Sequence, residues 1–121
     1  MNSPGRVEPA LKIDALRDLF GDDNDAIREI LETFRVDLGS NFGELSTVAA
    51  ARNRQRLARV AHSMKGASAN VGANTLSALC AAVERASAEG AWTDLDGMVA
   101  RVHEEATAVL ECVRIEVERL A

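Results

Sequence analysis

The chemistry-bearing residues of this chain gather in one stretch, Ala61-His62-Ser63-Met64-Lys65-Gly66-Ala67-Ser68-Ala69-Asn70-Val71-Gly72. Helical spacing sets His62 beside an apolar stripe rather than within it, among Ala58, Lys65, Gly66 and Ala69, which are small or basic. An imidazole so placed is reachable from solvent, and near neutral pH it can serve as a nucleophile. Lys65, three residues on, can reach a group attached to His62 and neutralise it as a mobile point charge, or it can be an ordinary solvated lysine. Helical side chains lean toward the N-terminus, so a side chain at position 66 would lie over His62. Gly66 therefore reads either as clearance for a partner and a transferred group, or as close packing against another helix. Together the three residues suit a histidine that carries a phosphoryl group.

Glu84 is the fourth member. It sits at the edge of an apolar stripe, where a carboxylate needs a partner. His62 lies ten residues before the turn at Gly72 and Glu84 twelve after it. At about 1.5 Å per residue the two differ in depth by only about 3 Å. Glu84 can then accept a hydrogen bond from one ring nitrogen and leave the other as nucleophile; the alternative is a rim glutamate paired with Arg85 or water. Arg52, Arg54, Arg56, Arg59 and Lys65 put five of the fourteen basic residues into fourteen positions. Positive charge near a helix N-terminus opposes the macrodipole, so helix stability does not explain the cluster. A basic rim facing an acidic partner does, with Arg56, Arg59, Ala58 and Ala69 as the docking positions; a generic solvated face is the other reading.

The elements that must position these residues are helices. Two prolines, both within the first nine residues, and no strand-type alternation point to an all-α domain. Residues 1–8 read as a flexible N-terminal tail and 9–121 as one helical bundle domain. The first helix is short, about 9–20, with Leu11, Leu16, Leu19 and Phe20 apolar and Gly21 as its stop. The second begins at Asp22-Asp23-Asn24 and carries Ile27, Ile30, Leu31, Phe34, Leu38, Phe42, Leu45, Val48 and Ala49 inward. Gly39 and Gly43 interrupt it at about 1 kcal/mol each. They mark either close approach of a partner or backbone, or a weak solvent-facing turn. Asn53 caps a third helix over about 54–70, with Leu57, Val60, Ala61, Met64, Ala67 or Ser68, and Val71 on its buried stripe. A fourth covers about 74–88 with Leu76, Leu79, Cys80 and Val83 inward, and a fifth runs from near Thr93 to the end. Short connections make neighbours antiparallel. The expected fold is an antiparallel up-and-down four-helix bundle with a short additional N-terminal helix.

Composition removes several function classes. A net charge of −5 and 3% aromatic residues argue against nucleic-acid binding. No apolar run approaches the ~18 residues of a membrane span. The segment Met1 to Val7 lacks the regions of a signal peptide, so a cytoplasmic location is expected. Cys80 and Cys112 fall on apolar faces and read as reduced core cysteines, with a regulatory disulfide as the alternative. No P-loop pattern or nucleotide-binding glycine loop is present, which argues against an autonomous kinase. Arg59 and Ala100 stand three before His62 and His103, where a dimetal bundle would place glutamates, so no metal site is expected. His103, followed by two glutamates, reads as a surface residue.

The pattern His62-Ser63-Met64-Lys65-Gly66-Ala67-Ser68, with Ala69-Asn70-Val71-Gly72-Ala73, Leu76-Ser77-Ala78-Leu79-Cys80 and Val83-Glu84, resembles the histidine-containing phosphotransfer (HPt) domains of multistep two-component signalling. Leu16-Arg17-Asp18-Leu19-Phe20-Gly21-Asp22 is similar to the family's opening, and the likeness spans about residues 10–120. Met64 and Ala67 stand where the family often has Leu and Ser. The resemblance implies a phosphoryl carrier without autokinase activity. Nε2 of His62 would take phosphate from an aspartyl phosphate on a receiver domain and pass it to another receiver. Lys65 would steady the group, and Ser68 would serve helix packing. The partners implied are receiver domains of response regulators or a hybrid sensor histidine kinase. They would supply Mg²⁺, this chain would hold no cofactor, and a monomer is expected, since the histidine face must stay free. The rival expectation is a non-catalytic adaptor of the same shape that binds a partner without phosphate.

Overall fold

The computed structural model of the chain describes residues 9–121. Five helices follow one another: α1 (Asp14–Phe20), α2 (Asn24–Ala50), α3 (Arg54–Asn70), α4 (Asn74–Ala86) and α5 (Trp92–Leu120). Helix α2 packs on α3 and α5, and α4 packs on the same two, so the four long helices close a ring around one core. Residues 51–53, 71–73 and 87–91 make the connections, too short for anything but antiparallel neighbours. Helix α1 packs on α2 at the end of the bundle. No helix among the described residues is long and apolar enough to cross a membrane.

Local chemistry sets the boundaries. The Asp23 side chain accepts from the Ala26 amide at 3.1 Å and opens α2. Asn53 does the same for Arg56 at 3.1 Å and opens α3, each satisfying an amide that the helix itself leaves unpaired. Gly72, at φ +83°, ends α3 in a conformation that only glycine adopts without strain. The core is the sum of the apolar stripes. Ile27, Leu31, Leu38 and Leu45 of α2 meet Leu57 and Met64 of α3, Leu76 and Val83 of α4, and Leu95, Val102, Val109 and Val113 of α5, all essentially inaccessible.

The structure shortens two of the expected helices. α4 ends at Ala86 rather than 88. α1 begins at Asp14 rather than 9. Residues before it run along the bundle end, with Ala10 and Leu11 buried and the Lys12 amide donating to the Gly72 carbonyl at 3.0 Å. A Cβ at Gly72 would collide with the Lys12 carbonyl, so that glycine also admits the N-terminal segment. Leu11 thus packs against the core and not on a face of α1. Of the other apolar residues assigned to that helix, Leu16 is buried, whereas Leu19 is 76% exposed and Phe20 is also exposed. The tail assigned to residues 1–8 lies outside the described residues. Neither cysteine is in a disulfide: Cys80 is buried, its thiol pushed up to about 12 by burial, and Cys112 is half-buried.

Candidate functional site

The site is built on the outer faces of α3 and α4. Leu57, Val60, Ala61, Met64 and Ser68 turn inward from α3. That leaves His62 on the opposite side, with two-thirds of its side chain exposed. Antiparallel packing brings Glu84 of α4 alongside it, as the depth count from Gly72 requires. His62 Nδ1 and Glu84 Oε2 are 2.8 Å apart. The second carboxylate oxygen, Oε1, accepts from Lys65 Nζ, also at 2.8 Å. One carboxylate therefore joins the imidazole to the ammonium. The Lys65 hydrogen bond is the largest influence on the Glu84 carboxyl; with a lesser contribution from the His62 hydrogen bond it outweighs the opposing effect of burial and holds the group below the usual carboxylate range. An ionised carboxylate only accepts, so Nδ1 carries the proton and Nε2 presents its lone pair outward.

Two further hydrogen bonds fix the frame around this trio. Ser77 Oγ on α4 donates to the Lys65 carbonyl on α3 at 3.0 Å, and Ser87 Oγ donates to the Glu84 carbonyl at 2.7 Å. A Cβ built at Gly66 meets nothing within 4 Å. Close helix packing therefore does not account for that glycine, and the space above the helix at this point is open. The same holds for Gly39 and Gly43, which no neighbouring backbone approaches. Ser68 is fully buried, away from any group that His62 could carry.

Of the expected docking positions, Ala69 and Arg59 are exposed, Ala58 is half-buried, and Arg56 is exposed but tied to Glu44 of α2 at 2.7 Å. Arg56 and Arg59 border an open groove of about 360 Å³ between α2 and α3, completed by Asn41, Glu44, Val60 and Ser63. The rest of the expected basic rim is corrected. Arg52 binds Asp96 through two hydrogen bonds of 2.7 and 3.1 Å, and Arg54 donates to the carbonyls of Ser87 and Gly90. Both guanidiniums lie 4.7 Å from the Trp92 ring centroid. These two arginines fasten the α2–α3 turn to the start of α5, so their clustering near the N-terminus of α3 is structural. Arg52 holds this place with φ +56°, uncommon for a residue other than glycine.

His103 is also corrected. It is half-buried between α5 and α2, stacked on Phe42 with ring centroids 4.2 Å apart, and its Nε2 lies 2.8 Å from Ser46 Oγ. Two glutamates after it suggested a solvated face, but the phase of α5 turns His103 toward α2. Sequence reasoning also missed the Glu44–Arg56 pair across the groove. Its sequence signal is weak: Glu44 lies seven residues before the turn at 51–53 and Arg56 three after it, a depth difference of about 6 Å that only a long side chain spans.

Comparison with known proteins agrees with this architecture. A family model described as Hpt domain matches residues 29–120. Among solved structures, the crystal structure of histidine-containing phosphotransfer protein B (HptB) from Pseudomonas aeruginosa PAO1 matches at 27% sequence identity with a TM-score of 0.83, covering 92% of this chain and 96% of that one. No curated protein sequence matches the chain. The match over most of the sequence, and a bundle that superposes on a histidine phosphotransfer protein, place the chain in one family: it belongs to the Hpt domain family.

Proposed function

We propose that this chain carries a phosphoryl group as phosphohistidine at His62, taking it from an aspartyl phosphate on a receiver domain and giving it to a second receiver. The observation that carries the reading is an exposed imidazole whose Nδ1 is held 2.8 Å from a carboxylate, leaving Nε2 as the one nucleophilic nitrogen. In-line attack by Nε2 needs little beyond position and charge balance. Glu84 supplies the position. Lys65, tethered to Glu84 but at the surface, supplies a cation one turn from the phosphoryl group. Gly66 leaves room for the receiver's loops over the imidazole, while Arg56, Arg59, Ala58 and Ala69 form the docking surface.

Among the described residues no three or more His, Cys, Asp and Glu side chains are placed to hold a metal ion. In this reading the Mg²⁺ of the reaction arrives with the receiver, and the chain brings only its own side chains. It works in the cytoplasm as a monomer, with receiver domains or a hybrid sensor kinase as partners. Incubation with a phosphorylated cognate receiver tests the proposal. Wild type is expected to acquire acid-labile, base-stable phosphate and His62→Gln none. Equal labelling of the variant would remove His62 from the mechanism, and receiver binding without labelling of either protein would favour the non-catalytic adaptor.

A further inference from the structure

The shared carboxylate has a chemical consequence beyond orientation. Resting on the carrier reading above, we propose that Glu84 sets the lifetime of the phosphoryl group on His62 by keeping a proton on Nδ1, which holds the phosphorylated ring in its transferable imidazolium form.

The balance of the step gives the reason. As Nε2 attacks, its lone pair forms the N–P bond and the P–O bond to the donor aspartate breaks, its electrons leaving with the carboxylate. The ring now bears phosphorus on Nε2 and hydrogen on Nδ1, and is positively charged. In the onward step an acceptor carboxylate attacks phosphorus, the N–P electrons return to Nε2, and a neutral imidazole leaves. No proton moves in either half. If Nδ1 loses its proton between the two steps, the leaving group becomes an imidazolide anion, which is far poorer. Transfer and spontaneous hydrolysis both slow as that proton is lost.

Glu84 is placed to oppose the loss. Its Oε2 is 2.8 Å from Nδ1, and Oε1 is anchored by Lys65 at 2.8 Å, so the carboxylate cannot easily swing away. An amide oxygen at this position could accept the same hydrogen bond, but it would carry no negative charge to offset the ring cation. The charged groups around the imidazole are few. Glu84 comes from α4, with exposed Arg85 beside it. Lys65 and Arg59 come from α3, each one turn from His62, and Glu44 across the groove on α2 is paired with Arg56. Glu84 is the group among these that meets Nδ1 directly, and Lys65 tempers it by sharing its charge. Glu84 is thus a positioning residue whose charge also matters.

Wild type and Glu84→Gln, phosphorylated with phosphoramidate, separate charge from geometry. Loss of phosphate is followed by ³¹P NMR across about pH 5 to 9, the range that brackets imidazole titration. The variant is expected to share the fast acid plateau but to enter the slow regime at lower pH. Its phosphohistidine should last roughly threefold longer or more at neutral pH, the effect of a half-unit displacement. Superimposable profiles, with His62 phosphorylated in both proteins, would overturn the inference and leave the carrier reading intact. Failure of folded wild type to label at His62 from either phosphoramidate or a receiver would overturn both. If Glu84→Gln does not fold, ¹⁵N shifts of the phosphorylated wild-type ring decide. Nδ1 should stay protonated to higher pH than in free phosphohistidine, and equal titration would refute the proposal.

Discussion

The two histidines of this bundle have opposite surroundings. His62 stands on the α3–α4 face with one nitrogen held by Glu84 and the other open. His103 sits between α2 and α5 with its ring stacked on Phe42 and its Nε2 beside Ser46 Oγ. Both lie on long amphipathic helices. What separates them is which ring nitrogen the neighbours occupy: a carboxylate at Nδ1 leaves Nε2 of His62 open, whereas a hydroxyl at Nε2 and an aromatic face enclose His103. A histidine in a helical bundle is therefore assigned by the side chains facing it from the next helix, more than by its own helical position.

The largest expected effect tests that contrast directly. His62→Gln abolishes phosphate uptake from a phosphorylated receiver, and His103→Gln leaves the initial rate of acid-labile labelling near wild type. Labelling that moves to His103, or falls equally in both variants, breaks the distinction. Covering the open nitrogen comes next. Gly66→Gln puts a side chain over His62 and is expected to slow transfer by about 100-fold, the scale on which small displacements of reacting groups act. Gly66→Ala adds only a Cβ into open space. It should raise stability by about 0.5–1 kcal/mol in urea unfolding with a modest loss of rate. A rate unchanged in Gly66→Gln would mean that partners approach from elsewhere.

Lys65→Ala ranks third. The ammonium is at the surface, so its effect on a phosphoryl transition state falls below that of a donor in a dry site. A loss of roughly tenfold in transfer rate is expected, with little change in receiver affinity. His103→Ala shows the reverse profile. Losing the stack on Phe42 and the contact with Ser46 should destabilise the fold by about 1–2 kcal/mol while transfer persists. A stable but transfer-defective His103→Ala would give the α2–α5 face a part in function.

How far the sequence foretold each region follows from the range of the interactions. The caps Asp23 and Asn53 act three residues away, and the apolar stripes repeat within a turn, so α2, α3 and α5 are legible almost to the residue. The meeting of His62 and Glu84 is legible because an antiparallel pair with one short turn converts residue counts into depth. The arginines are not. Arg52 and Arg54 find Asp96, Ser87 and Gly90 across 33 to 44 residues of chain, and nothing local indicates which of five neighbouring cations pair with distant elements. The segment before α1 fails for a similar reason. Its Leu11 reads as one of the apolar residues of the first helix together with Leu16, yet the space opened by Gly72 draws the backbone down onto the α3–α4 turn. His103 needed the rotational phase of α5 against α2, which two following glutamates obscure.

The smallest effect concerns acid. The Glu84 carboxyl is held below its ordinary value of 4.5, first by Lys65 and then by His62. Between its folded and unfolded titrations, the unfolded chain binds more protons, so stability rises with pH in that interval. The contribution is complete above about 4.5 and disappears as pH falls through the lower, folded value. The urea midpoints of wild type and Glu84→Gln should differ modestly at neutral pH, because the pair is near the surface and screened. They should converge as pH drops below the carboxylate range, and added salt should narrow the neutral gap. A gap that stays constant into strong acid would show that the side chain stabilises the bundle by packing rather than by its charge.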